Sequence, residues 1–153
     1  MALGYRLTIV DSKGNEIFLS SMKADLEESS RRPDISSAKY VSNTLKDDVL
    51  SRSKDFRAEI KVKGIITEEN KTETCKVTCW SKETDSELEY RKVKLVVYTA
   101  EDSNAKILRS YEIESMFVLD YSESFHEQDD SVGTFELYLV QKSGTFKQYI
   151  ETN

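Results

Sequence analysis

Read for the alternation of apolar and polar positions, the chain divides into short β-prone runs separated by polar turns. Phe56 to Ile66 is the clearest. Phe56, Ala58, Ile60 and Val62 fall on one face and Arg57, Glu59, Lys61 and Lys63 on the other, which predicts a strand with one wet face. Leu3 to Val10 and Ile17 to Ser20 flank Asp11-Ser-Lys-Gly-Asn15, whose Gly and Asn can take the positive φ of a tight reversal, so the chain opens with a hairpin. Further runs follow at Lys92 to Ala100, Ile107 to Ile113, Met116 to Ser122, Thr134 to Val140 and Thr145 to Glu151. Turns at Asp102 to Ala105 and Ser143-Gly144, and an acidic loop from Glu123 to Gly133, separate them. This spacing predicts a mainly β fold, a small antiparallel barrel or sandwich.

Two segments do not fit the alternation. From Met22 to Asp55 the chain turns polar, holds its only proline, Pro33, and reads as a long arm or loop at about 22–55. A helix from about Ser37 to Ser51 is the alternative there, because Val41, Leu45 and Val49 recur every four residues. In Glu68 to Asp85, Cys75, Val77 and Cys79 alternate as in a strand, whereas Trp80 suits a helix, and periodicity leaves both open. Two strands carry apolar residues on both faces: Val93, Leu95 and Val97 opposite Val96 and Tyr98, and Phe117, Leu119 and Tyr121 opposite Met116 and Val118. An antiparallel sheet with a solvated face should be polar outside. Either a helix covers that face, with Glu69 to Lys82 as its candidate, or another subunit does.

Composition narrows the function. With 153 residues, 38% of them hydrophobic and 33% charged, and a mean hydropathy of −0.56, one domain spanning 1–153 with a thin core is expected. No run approaches the roughly 20 apolar residues of a membrane span. Met1 to Arg6 lacks the apolar stretch of a signal peptide, so a cytoplasmic location is the starting expectation. A net charge of −6, without any basic block, argues against nucleic acid as a specific ligand. Cys75 and Cys79 match neither a C-x-x-C motif nor half of a common zinc site. His126 lies among acids, and a hydrolase pairing it with Glu123, Glu127 or Asp129 is conceivable on paper, but no nucleophile motif accompanies it. No catalytic, cofactor or metal site is therefore expected.

The second half of the chain carries a resemblance. It runs Tyr90-Arg-Lys-Val-Lys-Leu-Val-Val-Tyr98, a short turn, Tyr111-Glu-Ile-Glu-Ser-Met-Phe-Val-Leu-Asp-Tyr-Ser-Glu-Ser-Phe125, an acidic break, and Gly133-Thr-Phe-Glu-Leu-Tyr-Leu-Val-Gln-Lys142. This order resembles the tube proteins of contractile injection machines: the haemolysin-coregulated (Hcp, TssD) proteins of type VI secretion and the phage tail tube proteins, above all small clostridial-type members. In that pattern a strand of the form x-F-V-x-D-Y-x-E-x-F precedes one of the form G-T-F-x-L-x-x-x-Q-K. Met116 to Phe125 and Gly133 to Lys142 fill those slots, and a weaker match from Arg52 to Gly64 extends the likeness over roughly residues 52 to 142.

The resemblance implies an Hcp-like tail tube fold with one short helix, over about 69–82, and side-by-side assembly into a ring, usually a hexamer, that stacks into a hollow tube. The arm would reach a neighbouring subunit. Arg31, Arg32, Tyr40, Leu45, Tyr98, Phe117 and Tyr121 are then the expected subunit-interface residues. Sheath, spike or baseplate proteins and cargo effectors would be partners besides the chain itself, with export as part of an injection apparatus or virion-like particle. The first connection is longer than Hcp proteins generally have. The alternative is a monomeric β-sandwich whose Tyr98, Tyr111, Tyr121 and Tyr138 line a ligand cleft.

Overall fold

In the computed structural model of the chain, β1 (Ala2–Val10) and β2 (Glu16–Ser20) form the opening hairpin. Its turn holds Gly14 at φ 86. The Asp11 carboxylate locks the reversal, accepting from the amides of Lys13 and Asn15 at 2.9 Å each and from Asn15 Nδ2 at 3.0 Å. Residues 2–26, 32–44, 56–101, 104–128, 131–143 and 148–152 are described. A 3-10 turn, Lys23–Asp25, follows the hairpin. The remaining elements are β3 (Ile35–Thr44), β4 (Phe56–Ile66), α1 (Lys71–Ser81), the short α2 (Ser86–Glu89), β5 (Arg91–Glu101), β6 (Asn104–Gln128), β7 (Ser131–Gln141) and β8 (Gln148–Glu151).

All strands belong to one antiparallel sheet of order β2-β1-β5-β6-β7-β4-β3, with β8 also on β6. Its axis is β6, a single strand of 25 residues where two were expected. The first half pairs with β5 and the second with β7, and the change falls at Met116, which is in register with both Arg91 and Gln141. Ser115 beside it has φ 59, a conformation that turns the backbone sharply and that L-residues other than Asn and Asp rarely adopt. Pairing then runs on to Gln128 opposite Ser131, so most of the expected acidic loop from Glu123 to Gly133 is strand. Tyr40 of β3 stacks on Tyr111 of β6, with ring centroids 4.4 Å apart, although two strands, β7 and β4, lie between theirs in sheet order. The sheet therefore curls around one core, built from Leu7, Ile9, Leu19, Ile60, Val62, Leu95, Ile113, Leu137 and their neighbours.

The curl does not close into a barrel: no ladder joins β2 to β3 among the described residues. Buried Asp34 fastens the two instead. Its carboxylate accepts from the Ser20 amide and from Asn70 Nδ2, both at 2.9 Å, and its own amide donates to the Ser20 carbonyl at 3.1 Å. Its carbonyl accepts from the Ile65 amide at 3.0 Å. Gly64 permits this approach, since a Cβ there would meet the Asp34 carbonyl and the Phe135 ring.

Three further expectations are corrected. Where a helix from Ser37 to Ser51 was the alternative, residues 35–44 form strand β3, and residues 45–51 lie outside the described part. The helix over 71–81 exists, but it does not cover an outer sheet face. Val77 and Trp80 join the common core, and α1 touches β2 and β6 across the open side of the curl. Its side chains cap the exposed edge: Glu73 accepts from the Phe18 amide at 2.9 Å, and Lys76 Nζ reaches the Glu16 carbonyl at 3.4 Å. Lastly, Tyr121 does not share a face with Phe117. A bulge between Val118 and Asp120 adds a residue to β6, so that Met116, Val118 and Tyr121 all pack against the core.

Candidate assembly surfaces

The expected interface residues are scattered over the sheet, and each described aromatic has a partner within the chain. Tyr40 lies inside the curl against Tyr111. Tyr98 is on the outer face, where its hydroxyl accepts from Arg6 Nη1 at 2.9 Å and the guanidinium sits 5.2 Å from its ring centre. Phe117 meets Tyr90 edge-on, with centroids 5.9 Å apart. Tyr121 donates to Glu123 Oε1 at 2.7 Å, and Thr78 of α1 donates to the same oxygen at 2.6 Å. Burial, reinforced by that carboxylate, pushes the Tyr121 phenol well above its ordinary 10.0. Arg32 lines a cleft of about 490 Å³ with Leu3, Tyr5 and Ile35. Arg31 and Leu45 lie outside the described residues.

Nor do Tyr98, Tyr111, Tyr121 and Tyr138 converge on one cleft. Tyr111 and Tyr121 face the core, whereas Tyr98 holds Arg6 outside and Tyr138 carries Lys61 over its ring at 4.5 Å. Cys75 and Cys79 are free and exposed, and both line a groove of about 660 Å³ between α1 and the β1–β2 turn. Among the described residues no three His, Cys, Asp or Glu side chains are grouped to hold a metal, and no helix is long and apolar enough to cross a membrane.

What the surface offers instead is material for association. β3 ends the sheet with an unpaired flank among the described residues. Large apolar side chains stand out at Leu119 (56% exposed), Phe125 (69%) and Tyr149 (54%), with Ile150 beside the last. Of the polar row expected on β4, Lys61 and Lys63 are exposed, Arg57 is half-buried and Glu59 is buried, and exposed Lys39 of β3 stands opposite Lys61. Sequence reasoning missed Lys39, because strand β3 lay hidden in a stretch read as connection. It also missed Asp34, Asn70 and Gln141, whose burial no polar pattern signals.

A curled, incompletely closed antiparallel sheet sealed by one helix is a mainly β fold, and it is the fold of solved Hcp proteins. Three solved structures share it over nearly their whole length. A tryptophan double mutant of Hcp1 from the E. coli EAEC 042 pathovar superposes with TM-score 0.57 and 12% identity, over 99% of this chain and 100% of that one. The secreted protein Hcp3 of Pseudomonas aeruginosa gives 0.52 and 8% identity over 99% and 98%. Hcp1 of Salmonella typhimurium gives 0.51 and 13% identity over 99% and 95%. No protein-family model and no curated protein sequence matches the chain. The resemblance drawn from Met116 to Phe125 and Gly133 to Lys142 is met at the level of fold.

Proposed function

We propose that this chain is a structural subunit, without chemistry of its own, that associates side by side into a ring, hexameric as in the family it resembles. Rings stack into the inner tube of a contractile injection system of the type VI or phage-tail kind. The observation that carries this reading is the superposition on Hcp1 over 99% of this chain and 100% of that one. The flank of β3, unpaired among the described residues, and the outward Leu119, Phe125 and Tyr149 support it, being surface suited to association. Contact is heterologous: one flank of a copy meets a different surface of the next, and the rotation closes. Arg31, Arg32, Tyr40, Leu45, Tyr98, Phe117 and Tyr121 belong to or support that contact in this reading. Side chains facing the lumen then decide what passes, and sheath, baseplate or spike proteins meet the tube outside and at its ends.

Light scattering tests the proposal. The expected particle has several times the 17.6 kDa chain mass, with ring-shaped images by electron microscopy. A strict monomer at high concentration removes it.

A further inference from the structure

We propose that the basic strip on the outer face of β3 and β4 docks the acidic turn between α1 and β5 of a second copy. This contact rests on the assembly reading above and specifies its polar part. Register sets Lys39 directly opposite Lys61, Ser37 opposite Lys63, and Val41 opposite Glu59, with Arg57 completing the row. Three exposed lysines thus gather on a chain whose acids outnumber its bases 28 to 22, while Glu59 in the same row is buried and Arg57 half-buried. Like charges directly across a strand pair destabilise it. Lys61 is steadied over Tyr138 at 4.5 Å and Lys63 reaches Glu136 at 3.3 Å, while Lys39 makes no ion pair among the described residues. All three lysines are exposed, so a carboxylate-rich partner can reach them.

The chain carries such a partner on another side. Glu83, Asp85, Glu87 and Glu89 fall within seven residues of the turn that leads into β5, and Asp85 and Glu87 are exposed. The turn is held firmly. Ser12 Oγ donates to the Glu87 carbonyl at 2.9 Å, Trp80 Nε1 to that of Glu89 at 2.8 Å, and Arg91 Nε to that of Leu88 at 3.0 Å. No ion pair links strip and turn within the chain among the described residues. Each copy therefore offers one strip and one turn, the two unlike halves that a heterologous contact requires.

The test compares three proteins by sedimentation: wild type, Lys39→Glu with Lys61→Glu, and Glu83→Lys with Asp85→Lys and Glu87→Lys. Circular dichroism of each checks that these surface changes leave the fold intact. Wild-type assembly is expected to weaken from about 50 to about 500 mM salt as screening shortens the reach of the charges. Each reversal is expected to raise the half-assembly concentration about tenfold or more. Mixing the two variants restores assembly, because each then meets a complementary surface. If wild type assembles and both variants do so equally well, or if mixing restores nothing, this contact is wrong while the assembly reading stands. A wild type that stays monomeric at low salt removes both, and one that instead binds polyglutamate assigns the strip to a foreign acidic partner.

Discussion

Gln141 is wholly buried, yet it is an amide among aliphatic neighbours. Its Oε1 accepts from the Ala58 amide at 3.3 Å and its Nε2 donates to the Glu114 carbonyl at 3.1 Å, so one side chain ties β4 and β6 to the end of β7. The adjacent Lys142 amide adds a bond to the Ser115 carbonyl at 2.7 Å. Replacing Gln141 with Leu keeps the volume and leaves the buried Ala58 amide and the part-buried Glu114 carbonyl without this partner, at a cost of about 1–3 kcal/mol for the buried one. Chemical denaturation of Gln141→Leu should show a lower midpoint with an unchanged slope. The Gln-Lys pair was visible in the sequence only as part of the family-like pattern. A polar residue closing an apolar strand looks like an exit to solvent, and nothing local reveals that two other strands need its amide.

Elements were legible where one face is wet. Phe56 to Ile66 is strand over the residues that alternation marks, because exposed Lys61 and Lys63 leave the other side to Ala58, Ile60 and Val62, although Glu59 is buried as well. The helix was ambiguous for a physical reason: Thr74, Val77 and Trp80 are its buried residues, a stripe too narrow to outweigh the β-prone threonines around it. Tertiary closure, with Val77 and Trp80 filling the open side of the curl, decides the conformation. The bulge at Val118 and the corner at Ser115 were invisible, since one extra residue changes which side chains face inward without changing composition. Ser115 at φ 59 carries backbone strain that glycine would not. Ser115→Gly should raise stability by up to about 1 kcal/mol, offset in part by chain entropy, whereas Ser115→Val should lower it; thermal melts of the pair read the difference.

For the molecule as a whole, the link between the hairpin and the residues beyond it sets an acid limit. Arg6 holds Asp25 through Nε at 2.8 Å and Nη2 at 3.1 Å, and Ser20 Oγ donates to the same carboxylate at 2.7 Å. Burial alone would raise the Asp25 pKa, but those hydrogen bonds and the guanidinium charge outweigh it and leave the group below its ordinary 3.8. The folded chain then binds fewer protons there than the unfolded one, so the stabilisation is complete above that ordinary value and fades as pH falls through the lower, folded one. Asp25→Asn should therefore be less stable near neutrality and lose less melting temperature than wild type between about pH 6 and about pH 3, a flattening that calorimetry at several pH values detects. At this scale the β class was legible from runs and spacing, and the likeness to the Hcp fold from the pattern over residues 90–142. The clasp at Asp34 and the basic strip were not, because both depend on residues 32–44 being placed against strands far away in sequence.

One unbroken strand serves both halves of the sheet. The first stretch of β6 is flanked by β5 and β8 and the second by β7, with no linker between the two. The corner at Ser115 falls within this strand, beside Met116, which is paired with β5 and β7 at once. Any change in the angle between the strand's halves would have to break strand pairs on both sides of that corner, at Arg91 and at Gln141.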